Sequence, residues 1–170
     1  MTMNLVETIT VGAGGSANVE FVSIPQDSSD LLVLVSARLT ATTFYPVYLS
    51  LNGDTTTLYN NYWLRGNGTS VDHGGNNPAL GSFIGQYPGT AQLASAFANG
   101  SVFIPNYVSA TRTKVLSTTY VGEDNQTLAY QQLGSSRYPV TNPITSLKIT
   151  PLSGLLAEGT SISLYKTTQP

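Results

Sequence analysis

The sequence predicts an all-β fold, a jelly-roll-like antiparallel β-sandwich in a single domain with at most one short helix. Short runs of alternating apolar and polar residues recur along the chain, and Gly, Pro, Asn or Ser separates most of them. Helical periodicity is almost absent. The 170 residues suffice for one hydrophobic core, and no internal repeat indicates a propeller or a solenoid. The pattern favours a sandwich of roughly eight to ten strands.

Residues 1–18 are predicted to form an N-terminal segment, and residues 19–170 the sandwich domain. Leu5 and Val6 are apolar neighbours, so both faces of an extended segment would be partly apolar. Such a segment could pair as an arm with another chain, or it could be an ordinary edge strand of the same sandwich. The glycine-rich residues 11–18 are interpreted as a loop, because they lack the lysine of a phosphate loop and the dinucleotide-binding spacing.

Alternation predicts the next three strands, at residues 19–21, 30–40 and 45–51. The second of these strands places a row of apolar side chains on one face. That row consists of Leu31, Val33, Val35, Ala37 and Leu39. The Asn52-Gly53 pair that follows predicts a tight turn, because both residues tolerate positive φ.

Residues 57–64 are predicted to be the returning strand, and they include the only tryptophan of the chain. Aromatic rings beside Asn side chains are what a sugar site uses. Alternation, however, places Tyr59, Asn61 and Trp63 on one face and Tyr62 on the other. Because Tyr62 and Trp63 then cannot stack on one ligand from a flat strand, a wall of the sandwich is favoured over a sugar site.

The remaining chain is predicted to contain one long loop, one short helix and more strands. Residues 66–81 are rich in Gly and Asn and have no period, which predicts the loop. Residues 90–100 are the one plausible helix, with Thr90 as its cap. Glu123-Asp124 is predicted to lie in an exposed hairpin turn. The further strands are predicted at residues 101–105, 114–121, 127–133, 144–150 and 161–166.

The composition argues against several classes of partner. Charged residues are 9% of the chain and the net charge is -2, so no basic run can neutralise several phosphates and no nucleic-acid partner is expected. The absence of cysteine excludes disulfides and thiolate metal sites. The longest apolar run, residues 31–35, is far shorter than the roughly 20 residues that span a bilayer. The first residues lack the pattern of a signal peptide, so we expect no membrane partner and synthesis in a cytoplasm.

Residue types that could carry catalysis are few. The only histidine, His73, is interpreted as a solvated loop residue, and no nucleophile motif accompanies it. Asn52 and Asp54 could supply oxygen ligands, but the spacing of a calcium loop is absent and a turn explains both. We therefore predict a protein that is not an enzyme and holds no cofactor or metal. A glycan hydrolase that uses carboxylates is the enzymatic alternative, because the spacing of acids in space cannot be read from sequence.

Five short segments of residues 19–166, taken in their order along the chain, have familiar sequences. They are SIPQDSSDLLVLVSAR, YLSLNGDTTTLYNNYWLRG, SVFIPNY, ITSLKI and EGTSISLYK. Taken together they resemble a group of small virion structural proteins of tailed bacteriophages, which includes capsid decoration (cement) proteins and modules of tail or head fibres. The resemblance implies a jelly-roll-like sandwich that acts as a homotrimer on the virion surface.

The resemblance also implies a function. It predicts a non-enzymatic capsid decoration protein, made in the host cytoplasm, that binds the outer surface of a bacteriophage head as a trimer and stabilises the shell. Its partners would be the major capsid protein and further copies of itself, and Leu5 and Val6 would belong to a capsid-contacting arm. The absence of a coiled-coil or collagen-like shaft favours this function over a fibre.

The alternative is a receptor-binding or fibre-tip module that recognises host surface glycans. Its candidate contact residues are Tyr59, Tyr62, Trp63 and Arg65. These residues would also be candidates for contact with a protein partner, since interfaces are enriched in aromatic residues and arginine.

Overall fold

The predicted all-β sandwich is confirmed by a computed structural model, which describes residues 2–56, 58–123 and 129–168. None of these residues is helical, and their strands form two antiparallel sheets. The strands are β1 (Thr2–Thr10), β2 (Val19–Phe21), β3 (Asp30–Ala37), β4 (Tyr45–Leu51), β5 (Tyr59–Gly66), β6 (Val71–Ala79), β7 (Ser82–Tyr87), β8 (Ala98–Ile104), β9 (Lys114–Glu123), β10 (Ala129–Tyr138), β11 (Leu147–Pro151) and β12 (Ser161–Thr168).

The two sheets differ in width. The larger sheet has eight strands in the order β1-β12-β3-β8-β9-β10-β5-β6, and the smaller has four in the order β2-β11-β4-β7. Two hairpins, β5–β6 and β9–β10, lie side by side in the larger sheet. From β1 to β4 each successive strand changes sheet, as do the steps from β7 to β8 and from β11 to β12. The chain therefore crosses the core repeatedly, and its two hairpins widen only the larger sheet.

The core lies between the facing sides of the two sheets. Val33 and Leu164 of the larger sheet and Leu49 and Ile149 of the smaller sheet are fully buried. Full burial stabilises the fold by about 1.5–3 kcal/mol for each such side chain. The predicted apolar face of residues 30–40 is confirmed, since all five of its side chains are buried. On the opposite face of β3 the side chain of Leu34 is exposed.

The turn after β4 is confirmed, but the strand that follows it does not pair with β4. Asn52 and Gly53 both have positive φ, 54° and 68°. The Asn52 side chain fixes the turn: its Oδ1 accepts a hydrogen bond from the Thr145 backbone N–H (2.8 Å), and its Nδ2 donates one to the Pro143 carbonyl (2.9 Å). β4 pairs with β11 and β7, whereas β5 pairs with β10 and β6 in the larger sheet. The turn thus carries the chain from one sheet to the other.

The prediction of a long loop at residues 66–81 is wrong. This segment contains the end of β5, a short turn at residues 67–70 and all of strand β6. One of the glycines that suggested a loop, Gly74, is explained by packing, because the Trp63 ring covers it so closely that a Cβ there would lie 2.4 Å from Cζ2 of the ring. His73 accordingly lies on a strand, opposite Leu64, and not in a loop. The neighbouring strand β7 was also not predicted.

The short helix predicted at residues 90–100 is absent. Residues 90–95 form turns, and β8 begins at Ala98. The buried guanidinium of Arg38 donates hydrogen bonds to the carbonyls of Gln92 (2.9 Å), Leu93 and Ala96 (3.2 Å). Three carbonyls that converge on one guanidinium do not point along a common axis as they do in a helix, which explains the turns. The turn predicted at Glu123-Asp124 falls in part on residues 124–128, which lie outside the described residues.

β1 is an edge strand of the larger sheet and pairs only with β12 there. A register shift between Leu5 and Glu7 interrupts the pairing. Leu5 is 55% exposed, whereas Val6 is partly buried against the core. In the isolated chain Thr2–Thr10 therefore belongs to the sandwich, and its role as a capsid- or subunit-contacting arm stays a prediction.

The contact between Trp63 and Gly74 yields a test of the β5–β6 hairpin. We expect Gly74→Ala to lower the free energy of unfolding by about 1–3 kcal/mol, because the added methyl group would displace the ring. The emission of Trp63, the only tryptophan, should change with it. Gly66→Ala is the matched control, since a Cβ at Gly66 would meet nothing within 4 Å. Equal stability and emission for the two variants would contradict the packing described here.

Candidate functional site

Tyr59, the first of the predicted contact residues, belongs to the core. Its side chain is fully buried, and its ring stacks on Tyr138 with 4.7 Å between the ring centroids. The backbone N–H of Leu51 donates to its hydroxyl (2.8 Å). Burial raises the pKa of Tyr59 well above that of a free tyrosine. The prediction that Tyr59 contacts a glycan or a partner is therefore wrong, because no surface of its ring is accessible.

Tyr62 and Trp63 lie on opposite faces of β5, as alternation predicts. Tyr62 is 60% exposed on the outer face of the larger sheet. Trp63 is half-buried on the other face and packs edge-on against Phe83, with 5.1 Å between the ring centroids. The Phe83 ring in turn lies beside the Tyr48 ring, with 6.0 Å between the ring centroids. Trp63, Phe83 and Tyr48 form a continuous line of three rings, which we call the aromatic line.

Arg65 lies on the same face of β5 as Trp63 and is held by three neighbours. Its Nη2 donates to the Asp72 carboxylate (2.8 Å) and its Nη1 to Oε1 of Gln86 (2.7 Å). The guanidinium also lies 5.4 Å from the centroid of the Tyr130 ring. Because Arg65 is bonded to Asp72 and Gln86 within the chain and Tyr62 faces the other way, the predicted contact residues do not converge on one site.

A β-bulge in the smaller sheet places Phe83 in the aromatic line. Val47 pairs with Gly85 and Tyr48 with Phe83, so Ile84 is an extra residue between the two pairs. Gly85 has a φ of 135°, a conformation that favours glycine. Ile84 is buried in the core, and the extra residue turns Phe83 to the outer face beside Tyr48.

Asn61 connects the two sheets where β7 begins. Its side chain is 1% exposed. The Oδ1 atom accepts hydrogen bonds from the Phe83 backbone N–H (3.0 Å) and from the Ser136 hydroxyl, and Nδ2 donates to the Gly81 carbonyl (3.0 Å). One amide on β5 therefore bonds backbone groups that would otherwise need a neighbouring strand.

A cleft of about 510 Å³ lies beside the aromatic line, on the outer face of the smaller sheet. Strands β4 and β11 supply one side, and Asn76, Ala79 and Leu80 supply another. The polar and apolar groups that line it include Tyr48, Ser50, Asn76, Leu80, Lys148 and Thr150. A volume of this size falls within the roughly 300–1,000 Å³ of typical ligand pockets. The cleft is therefore a candidate ligand site.

The positive charge of the one lysine in the cleft is paired with a carboxylate. Nζ of Lys148 lies 3.2 Å from a carboxylate oxygen of Glu20, and both side chains are about one-third exposed. Nδ2 of Asn76 donates to the Tyr48 hydroxyl (3.3 Å), which ties β6 to β4 across the cleft. Sequence reasoning missed the cleft because its residues come from separate parts of the chain. The only local signal was the alternation that turns Tyr48 and Ser50 away from the core.

The outer face of the larger sheet is a second candidate surface. Two adjacent rows of outward side chains cross all eight strands. The first row is Thr8, Ser163, Leu34, Ser101, Thr119, Leu133, Leu64 and His73, and the second is Leu5, Tyr165, Leu32, Phe103, Ser117, Ser135, Tyr62 and Gly75. Neither row contains an aspartate, glutamate, lysine or arginine. We call these two rows the uncharged face.

Two further features considered above are a metal site and a membrane-spanning helix. Within residues 2–56, 58–123 and 129–168, no three His, Asp or Glu side chains lie close enough together to hold a metal ion. The same part of the chain contains no helix of the length and hydropathy required to span a bilayer. No protein-family model matches the sequence, and no curated protein is significantly similar to it. The cleft and the uncharged face are therefore the two candidate functional surfaces of the described residues.

The bonds of Asn61 predict a difference between two neighbouring asparagines. We expect Asn61→Ala to lower the free energy of unfolding by about 2–4 kcal/mol, because it leaves the Phe83 N–H and the Gly81 carbonyl buried without this partner. Asn60→Ala, on the opposite face of the same strand, should cost much less. Urea unfolding of both variants measures the difference, and equal losses would count against Asn61 as the link between the sheets.

Asp54 offers a test of the segment that follows the Asn52-Gly53 turn. Hydrogen bonds from Thr56 and then from the Tyr138 hydroxyl (2.6 Å) lower the pKa of its carboxyl below 3.8. The ionised form therefore stabilises the fold above pH 3.8, and this contribution is lost as the pH falls through the lowered pKa. We expect Tyr138→Phe to raise the pKa of Asp54 toward 3.8 in a carboxyl NMR titration.

Tyr62→Phe is the control for this titration, because its hydroxyl lies on the exposed face of β5. An Asp54 carboxyl that titrates identically in all three proteins would refute the bond to Tyr138.

Proposed function

We propose that this protein is a non-enzymatic virion structural protein, a capsid decoration protein that binds the outer surface of a bacteriophage head as a homotrimer and stabilises the shell. The observation that carries the proposal is the uncharged face of the larger sheet. The resemblance of five sequence segments to phage decoration proteins supplies the identity of the partner, the major capsid protein.

The uncharged face has the chemistry of a protein contact surface. The centres of protein interfaces are depleted of charged residues and enriched in aromatic ones. Leu34, Leu64 and Leu133 are 39–54% exposed in the first row, and Leu5 and Tyr62 are more than half exposed in the second. Isolated apolar side chains are common on protein surfaces, but Leu133, Leu64 and Tyr62 are neighbours on β10 and β5, and an exposed apolar cluster is typical of a binding surface.

The uncharged face covers the full width of the larger sheet. Eight strands about 4.8 Å apart span roughly 34 Å, and two rows of outward side chains take up roughly 13 Å along each strand, which makes about 440 Å². A standard interface buries about 800 Å² on each partner, so this face would supply about half of such a contact. The two hairpins β5–β6 and β9–β10 supply half of this width. An isolated four-stranded sheet would be too narrow for the same contact.

The strand order supports the jelly-roll part of the proposal. Without the two hairpins, the order is β1-β12-β3-β8 in one sheet and β2-β11-β4-β7 in the other. Two four-stranded sheets between which successive strands alternate are compatible with a jelly roll, an architecture common in viral capsid proteins. Since one fold serves many functions, this order supports the proposal only together with the uncharged face.

The low charge of the chain is compatible with a contact on a particle that is exposed to different salt concentrations. Contacts between neutral groups are not screened, so their strength depends little on ionic strength. Assembly of copies into a trimer would add stability by mass action, which suits a chain that has no disulfides. In this proposal β1 keeps its predicted role as a capsid- or subunit-contacting arm through Leu5 and Val6.

The alternative, a receptor-binding or fibre-tip module, has less support in its original form. Of its candidate residues, Tyr59 is buried, and Tyr62 and Trp63 face opposite ways. Arg65 is bonded to Asp72 and Gln86 within the chain. These four residues therefore cannot bind one glycan together.

A binding experiment with expanded, undecorated phage heads tests the proposed function. We expect the purified protein to sediment with the heads and to be trimeric in analytical ultracentrifugation. Leu133→Glu should weaken head binding at least about tenfold, a change of about 1.4 kcal/mol, because it places a charge in the centre of the uncharged face. Little change is expected when the NaCl concentration is raised.

Val22→Glu is the matched control, since Val22 is 65% exposed and lies next to β2 in the smaller sheet. This variant should bind heads like the parent protein. Absence of binding by the parent protein, or equal binding by both variants, would refute the proposal.

A further inference from the structure

We propose that the cleft on the outer face of the smaller sheet is a binding site for a neutral carbohydrate. This inference goes beyond the proposed function, because attachment to a capsid through the uncharged face makes no use of the cleft. It also differs from the glycan site predicted from the sequence, since none of Tyr59, Tyr62, Trp63 and Arg65 lines the cleft.

The lining of the cleft combines the two kinds of surface that a sugar requires. Tyr48 supplies an aromatic ring, and Leu80 and Leu152, which are 58% and 61% exposed, supply aliphatic surface for the C–H faces of a ring. The exposed Thr150 hydroxyl can both donate to and accept from sugar hydroxyls, and the buried Ser50 hydroxyl, which donates to the Lys148 carbonyl at 3.5 Å, can accept. A purely apolar ligand would displace water from these hydroxyl groups and would not replace the lost hydrogen bonds.

Charge determines the class of sugar. Lys148 is the one basic residue in the lining, and its ammonium is paired with the Glu20 carboxylate at 3.2 Å. An acidic sugar would place a second carboxylate beside that of Glu20, whereas a neutral sugar can accept a hydrogen bond from Lys148 without adding negative charge. The other polar groups of the lining, including the Asn76 amide and the Thr55 hydroxyl, are uncharged. A neutral hexose or N-acetylhexosamine therefore fits better than a uronic or sialic acid.

The site is held in place before any ligand arrives. Tyr48 is packed against Phe83 in the aromatic line and accepts a hydrogen bond from Asn76. Gly81, next to the end of the cleft wall, lies so close to β4 that a Cβ there would be 3.1 Å from the Tyr48 Cβ, and its carbonyl is bonded by Asn61. Binding to groups that are already ordered avoids much of the entropy cost of association.

The test is an NMR titration of the ¹⁵N-labelled full chain with named sugars. The probes are glucose, galactose, mannose, N-acetylglucosamine, lactose and maltose, each at about 10 mM, which nearly saturates a site with a Kd of about 1 mM. We expect at least one of them to shift the amide signals of Ser50, Lys148 and Thr150 in a saturable way. The signals of Ser101 and Thr119, on the uncharged face, should not move.

Variants distinguish the cleft from other surfaces. Thr150→Trp, which fills the cleft from an exposed strand position, should weaken the binding of that sugar at least about tenfold. Thr10→Trp, at an exposed position of edge strand β1, is the matched control and should bind like the parent protein. A matching circular dichroism spectrum for Thr150→Trp would verify that the variant is folded.

Three outcomes would overturn the inference. They are the absence of saturable shifts with every sugar, shifts that lie outside the cleft, and binding that survives Thr150→Trp. Tighter binding of glucuronic or sialic acid than of the neutral sugars would overturn the assignment of ligand class. Head binding through the uncharged face is measured separately, so failure of either proposal leaves the other unaffected.

Discussion

The side-chain amide of Asn61 is the link on which the arrangement of both surfaces depends. Through it, strand β5 of the larger sheet bonds the Phe83 N–H and the Gly81 carbonyl at the start of β7. A buried amide is stable only when its donors and acceptors are paired, so this contact defines where the β5–β6 hairpin lies relative to the smaller sheet. That placement brings Trp63 to Phe83 and carries the end of β6 over Tyr48, which completes the cleft.

The scarcity of charge has different consequences on the two sides of the sandwich. On the larger sheet, the outward rows contain hydroxyl and apolar side chains and no charged ones, which suits contact with a protein surface. On the smaller sheet, the Lys148–Glu20 pair neutralises the one cation beside the cleft, which suits a neutral ligand. Because the outer faces of a sandwich point in opposite directions, one copy could contact a shell with one face and leave the cleft accessible on the other.

Alternation was a reliable guide wherever the environment of a residue followed from its neighbours in sequence. It predicted the buried face of residues 30–40 and the opposite orientations of Tyr62 and Trp63. It failed where a distant side chain decided the local structure. The carbonyls of Gln92, Leu93 and Ala96 converge on the Arg38 guanidinium in a segment of turns, and the glycine at position 74 makes room for the Trp63 ring on a strand. Neither contact leaves a local pattern.

Local chemistry was therefore enough to determine the all-β class, the Asn52-Gly53 turn and the face on which most strand residues lie, because backbone geometry alternates side chains with a period of two. Tertiary contacts alone decided which strands pair. The chain leaves that turn for the other sheet, Tyr59 enters the core, and residues from β4, β6 and β11 meet around one cleft. Each of these outcomes arises from hydrogen bonds and packing between residues far apart in sequence, which no short window of sequence contains.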